Sequence, residues 1–249
     1  MTRSEKIAFS FFEESGYSVK AIPTTNSSKR ADIQVKDNCC TYIVEVKEKL
    51  NTGSQIELTT ITEGSSKIQV EREPHSHSNR LDGILKHGRK QLSETSSNSE
   101  DYSLIWFFSE GPSAEMTTRR LIQTFYGISY LTPINKDQAG VNCFYFDYSA
   151  AYSLPLINGI IVVENQTMEL CINEFSKNHH SFKESKLAKQ FGEAVYDPST
   201  LLQKPGTLVL RSSIPRKNKL ELLNELERKT GIRYNTIEMD RYTFGVSKT

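Results

Sequence analysis

Asp32, Glu45 and Lys47 are the residues of this 249-residue sequence whose types and spacing best suit chemistry. They fall in RADIQV (30–35) and YIVEVKEK (42–49), runs in which β-branched and aromatic residues alternate with polar ones as in strands. Asp37-Asn38 between them is a turn signal. If residues 37–40 form the turn, Lys36 faces Thr41, Gln34 faces Ile43 and Asp32 faces Glu45. Val35 with Tyr42, Ile33 with Val44 and Ala31 with Val46 then make a coherent apolar set, which fixes register strongly. A turn of odd length breaks that pairing. In the even register the Cβ atoms of Asp32 and Glu45 lie about 5 Å apart, where like charges destabilise. Lys47 follows on the same face, roughly 6–7 Å along. A divalent cation suits the pair better, because hard cations take carboxylate oxygens and water. An ordinary surface hairpin with a Glu–Lys pair carries the same short pattern.

The elements around these residues make the set more specific. Residues 3–15 have helical periodicity, with Ile7, Ala8, Phe9, Phe11 and Phe12 on one arc and Gly16 as a stop. Glu5 projects into that apolar arc. It is either a site residue or a first-turn acid favoured by the helix dipole. A strand is expected at 17–23, then a polar loop, then the strands 31–36 and 41–48. The Ser-, Thr-, Gly- and Glu-rich stretch 49–80 reads as an excursion or mobile loop. A helix over 80–94, a buried strand SLIWFF (103–108) and a helix over 113–126 follow. In the second half, GIIVVENQTMELCI reads as a hairpin turning at 164–166. TLVL, PRKNKLELLNELERKTG and RYNTIEM read as strand, helix and strand.

The order helix, strand, strand, strand, with Glu5, Asp32 and Glu45-Val46-Lys47 upon it, resembles the PD-(D/E)XK, or restriction-endonuclease-like, phosphodiesterases. The first helix and Gly16-Tyr17 are most like archaeal Holliday-junction resolvases. The resemblance covers about residues 3–108, and Ala31 stands where the family usually has proline. It implies an α/β fold with an αβββαβ core and a mixed central sheet over 1–110. An α+β C-terminal region over 111–249 would serve substrate recognition or assembly. It also implies metal-dependent endonuclease chemistry on phosphodiesters, more on DNA than RNA, in restriction, repair or anti-phage defence. Asp32, Glu45 and the Val46 carbonyl would hold Mg²⁺, with Mn²⁺ able to substitute. Glu5 would bind or orient the metal water, and Lys47 would position the attacking water. Carboxylates that close should raise one another's pKa values. Gln91, in KHGRKQL, would be a further site residue. Lys86, Arg89 and Lys90 on its helix and Arg119-Arg120 are candidate phosphate contacts. A homodimer and an ATPase or helicase partner fit such an enzyme. The alternatives are a catalytically silent nuclease-fold subunit that binds nucleic acid or scaffolds a partner, and a ligand-gated defence effector.

Other chemistry-bearing residues point less clearly. His75 and His77 form a competing metal pair without an evident third ligand, and His179-His180 has less support still. Arg211, Arg216, Lys217 and Lys219 could follow a phosphate backbone or simply be solvated. Cys39, Cys40, Cys143 and Cys171 include no CxxC pair, so neither a zinc framework nor a disulfide scaffold is indicated. With 31 basic and 30 acidic residues the net charge is +1, so any nucleic-acid contact needs a local basic groove. No run approaches the roughly 18 apolar residues of a membrane helix. The N-terminus lacks a secretory apolar run. Cytoplasmic residence is the default expectation.

Overall fold

The computed structural model describes residues 1–23, 30–50, 59–63, 66–74, 77–96, 101–111, 113–134, 138–202, 204–237 and 240–248, with 59–63, 66–74 and 240–248 described as backbone. Helix α1 (Arg3–Glu14) leads into β1 (Ser18–Ala21), β2 (Ile33–Lys36) and β3 (Thr41–Leu50). A hairpin of β4 (Thr59–Glu63) and β5 (Ser66–Pro74) precedes α2 (Asn79–Thr95) and β6 (Tyr102–Glu110). Next come α3 (Ala114–Tyr126), β7 (Ser129–Pro133), β8 (Val141–Phe144), α4 (Ala150–Ser153), β9 (Gly159–Glu164) and β10 (Thr167–Ile172). The remaining elements are α5 (His179–Lys183), α6 (Lys186–Gln190), β11 (Val195–Tyr196), α7 (Pro198–Leu201), β12 (Thr207–Val209), α8 (Lys219–Thr230), β13 (Tyr234–Thr236) and β14 (Asp240–Lys248).

The fold is α/β, built on a mixed seven-stranded sheet in the order β1-β2-β3-β6-β9-β10-β11. β1, β2 and β3 pair antiparallel, whereas β3, β6 and β9 run parallel. The division expected after residue 110 does not interrupt this sheet, because β6 pairs with β9 from Leu104↔Gly159 to Ser109↔Glu164. A second sheet, β12-β8-β7-β13, carries α8.

Both faces of the central sheet are covered. Ala8 and Phe12 of α1 pack with Tyr42, Val44, Val46 and Trp106 on one face. Leu81, Leu85 and Leu92 of α2 pack with Ile43, Ile105 and Phe107 on the other. Central strands covered on both sides read as near-continuous apolar runs, which accounts for YIVEV and SLIWFF. Helix α1 starts from a capping box: Thr2 Oγ1 accepts from Glu5 N, and Glu5 Oε2 accepts from Thr2 N.

Two expectations need correction. The stretch 49–80 is not simply an excursion: β3 continues to Leu50, and β4 and β5 form a hairpin within it. The Thr, Ile and Val content of TTITE and SKIQV suits strands, and the polar residues between them obscured it. Among the described residues of RYNTIEM only the short β13 is a strand, while residues 240–248 supply β14, paired with β5 from Asp240↔Pro74 to Lys248↔Ser66.

Candidate active site

The β2–β3 ladder has the register expected from its apolar set, with Ile33↔Val44, Gln34↔Ile43, Val35↔Tyr42 and Lys36↔Thr41 as partners. Beyond Ile33 the regular ladder ends, so the expected pairs Asp32–Glu45 and Ala31–Val46 do not form. Ala31 packs with Ile43 and Leu81 in the core on the other face from Val46, and Asp32 replaces the lost ladder bonds. Asp32 N donates to Val44 O (3.2 Å), its carbonyl accepts from Ile22 N (2.8 Å), and its Oδ2 accepts from Val46 N at 2.7 Å. The carboxylate is thereby tied to the backbone between Glu45 and Lys47. Burial pushes the Asp32 pKa up, partly opposed by the Val46 N–H and reinforced by the charge of Glu5.

Glu45 is 1% exposed, on the face covered by α2. Its neighbour there is Gly88, where an added Cβ would sit 3.0 Å from Ile105 Cδ1 and 3.6 Å from Glu45 Cγ. The missing side chain lets the helix lie over the carboxylate. Glu45 Oε1 contacts Lys47 Nζ at 2.5 Å, and Lys47 also donates to Gln91 Oε1 at 2.7 Å. Gln91 Nε2 donates onward to Arg30 O (3.3 Å). Thr95 Oγ1 accepts from Ala31 N (2.7 Å) and donates to Gln91 O (2.9 Å). The last turns of α2 are thus fastened to the segment that enters Asp32. Glu45 Oε2 is buried with no hydrogen-bond partner. Burial and then the charge of Asp32 lift the Glu45 pKa to about 8 despite Lys47.

An orphaned carboxylate oxygen beside a second carboxylate fits a hard divalent cation. Asp32 and Glu45 are the residues that could hold it. The expected mutual raising of carboxylate pKa values holds in one direction only: Asp32 raises Glu45, whereas the hydrogen-bonding contact with Glu45 lowers Asp32, whose own rise comes from burial and the charge of Glu5. A groove of about 290 Å³ opens on the same face, with Lys20, Ile22, Gln34, Ile43 and Thr95 in its lining. Ile43 is two residues from Glu45 on β3 and shares its strand face, and Gln34 is Ile43's partner across the ladder.

Glu5 takes a different part. Its Oε2 is engaged by Thr2 N (2.8 Å) in the capping box, and it reaches Asp32 through its charge. It does not join Asp32 and Glu45 in a group of three ligand atoms within 4.8 Å; among the described residues only Asp37, Cys39 and Cys40 form one. Among the expected phosphate contacts, Lys86 is paired with Asp82 (2.7 Å) and lies over the Tyr148 ring. Arg119 is paired with Glu115 (2.6 Å), and Arg120 Nε is buried without a partner. Arg89 and Lys90 are exposed on α2.

The C-terminal basic cluster is engaged locally. Arg211 binds Glu174 (2.6 Å), Arg216 donates to Ile214 O (2.8 Å) and Ser212 O (3.1 Å), and Lys219 lies 3.6 Å from Asp147. Lys217 is exposed. His75 lies outside the described residues. His77 packs edge-on against Tyr148 with Nδ1 buried and unpaired, and burial lowers its pKa. The His179 and His180 rings touch each other, their centroids 5.0 Å apart. Gly88, Thr95 and the Arg30 carbonyl were not anticipated. A glycine inside an otherwise good helix was the one signal available.

No helix among the described residues is long and apolar enough to cross a membrane. No family model, curated protein or solved structure matches this chain.

Proposed function

We propose that the chain is a metal-dependent phosphodiesterase of the PD-(D/E)XK kind, acting on nucleic acid and more specifically on DNA. One observation carries this: a buried carboxylate with an unpartnered oxygen, Glu45, adjoins a second carboxylate and a fixed ammonium. A purely structural site has no need of such an arrangement, because an uncompensated buried polar oxygen costs about 1–3 kcal/mol.

A bound Mg²⁺ would supply Lewis acidity at a phosphoryl oxygen and make water more acidic. Asp32 and Glu45 would hold it, and the Val46 N–H aims Asp32 by fixing Oδ2. The Lys47 ammonium is pinned between Glu45 Oε1 and Gln91 Oε1. It orients the attacking water and offsets charge that grows on the phosphoryl oxygens, with little rearrangement during reaction. Glu5 adds negative potential at Asp32 from the start of α1. Arg89 and Lys90 would follow the phosphate backbone beside Gln91. Cutting both strands of a duplex would take two copies of the chain, and an ATPase or helicase partner could deliver the substrate.

The test is incubation of the protein with plasmid and single-stranded DNA plus Mg²⁺ or Mn²⁺, beside Lys47→Ala and Asp32→Asn. Metal-dependent cleavage by the wild type, lost in both variants, is expected. Cleavage unchanged in the variants, or none by the wild type on DNA or RNA, would overturn the proposal.

A further inference from the structure

The β2–β3 turn, Asp37-Asn38-Cys39-Cys40, sits at the end of the hairpin away from Asp32 and Glu45. Five residues along either strand separate the two ends, about 16 Å. The turn is closed by its own backbone and by one side chain. Asp37 N donates to Cys40 O (3.1 Å), and Asp37 Oδ1 accepts from the N–H groups of Cys39 (2.9 Å) and Cys40 (2.7 Å). Asp37 Oδ2 accepts from the Tyr42 hydroxyl (3.1 Å).

Adjacent residues of a regular strand point to opposite faces. Here the turn breaks that alternation. A carboxylate oxygen of Asp37 and the Sγ atoms of Cys39 and Cys40 all lie within 4.8 Å of one another. Both thiols are free; Cys39 is exposed and Cys40 half-buried. Burial works to raise the Asp37 pKa, but the N–H groups of Cys39 and Cys40 outweigh it, so the carboxylate stays ionised.

Two sulfurs and one carboxylate oxygen are the donors of a borderline-soft ion, not of Mg²⁺. Sulfurs bound to Zn²⁺ at about 2.3 Å in a tetrahedron are about 3.8 Å apart. Ligand atoms already within 4.8 Å of one another are at most about 1 Å beyond that spacing, a gap of the size that side-chain rotation closes.

We propose that Asp37, Cys39 and Cys40 bind one thiophilic divalent cation of the Zn²⁺ class, separate from the Asp32–Glu45 site, with water as the fourth ligand. Each thiol releases its proton to solvent as its metal–sulfur bond forms, and no redox step is involved. The bound ion staples the turn of the hairpin that leads from Asp32 to Glu45. This inference stands whether or not the chain cleaves nucleic acid.

Reduced, chelator-stripped protein titrated with Cd²⁺ tests it, because Cd²⁺–thiolate bonds absorb in the ultraviolet. One equivalent of Cd²⁺ should produce that absorption, and Zn²⁺ should displace it. Cys39→Ser should weaken binding at least on the order of 10- to 100-fold, Cys40→Ser likewise, and Asp37→Asn less. Asp32→Asn should leave the signal intact. Cys39 is exposed, so Cys39→Ser carries the test if Cys40→Ser does not fold, with circular dichroism as the control. The same absorption in Cys39→Ser, none in the wild type, or loss only in Asp32→Asn would overturn the proposal.

Discussion

Glu45→Gln keeps the shape of the buried side chain and removes its ionisation. In the metal-free wild type, burial first and the charge of Asp32 next lift this carboxyl from its ordinary 4.5 to about 8. The folded protein then keeps a proton that the unfolded chain gives up above about pH 4.5. Stability from this source is complete below that pH and is lost as pH rises through about 8. At about 1.4 kcal/mol per pH unit the full effect is on the order of 5 kcal/mol. Urea denaturation with chelator present, at about pH 5 and about pH 9, reads it directly. The wild type should lose about 2–4 kcal/mol more than Glu45→Gln over that range, other titrating groups cancelling in the difference. A Mg²⁺ held by Asp32 and Glu45 would replace the proton, so adding Mg²⁺ should stabilise the wild type at high pH and not the variant. Equal pH profiles, or a wild type that gains stability with pH relative to Glu45→Gln, would refute the reasoning. Glu45 would then ionise at its ordinary value in a simple pair with Lys47.

Gln91→Ala removes one of the two oxygens that hold Lys47 Nζ, so kcat for DNA cleavage should fall on the order of 10- to 100-fold with KM little changed. Gly88→Leu drives a side chain into Ile105 and Glu45; chemical denaturation should show a loss of about 1–3 kcal/mol, together with weaker Mg²⁺ binding. Tyr126→Phe deletes a fully buried hydroxyl that lies 2.8 Å from Tyr196 O and 2.9 Å from Ile172 O. Its cost should be about 1–2 kcal/mol in denaturation, without effect on metal affinity.

The hairpin that carries Asp32 and Glu45 was legible because only one register buries Ile33, Val35, Tyr42 and Val44 together. The α/β class came from the family resemblance that the helix and strand order suggested, and Gly16 marked the end of α1 with a φ of +78°. What the sequence could not display was burial imposed by a distant element. Glu45 reads as one charge on a half-exposed strand, and α2, lying close at Gly88, makes it a 1% exposed one. Other local partners were readable in the sequence. Thr2-x-x-Glu5 is a capping-box signature, and the structure forms that box. Asp82 and Lys86, like Glu115 and Arg119, stand four apart on helices, the spacing of intrahelical ion pairs. Those pairs give Lys86 and Arg119 a local partner within their own helices. The strand β14 was missed because its partner β5 is more than 160 residues earlier in the chain, a separation that local pattern does not reveal.

Calorimetric titration with Mn²⁺ at pH 7, in two buffers of different ionisation enthalpy, counts ions bound and protons released together. One ion should bind with release of about one proton, the one that Glu45 holds in the metal-free protein, and Glu45→Gln should lose both. Equal Mn²⁺ binding by the wild type and Glu45→Gln, or binding without proton release, would contradict a metal centre built on Asp32 and Glu45.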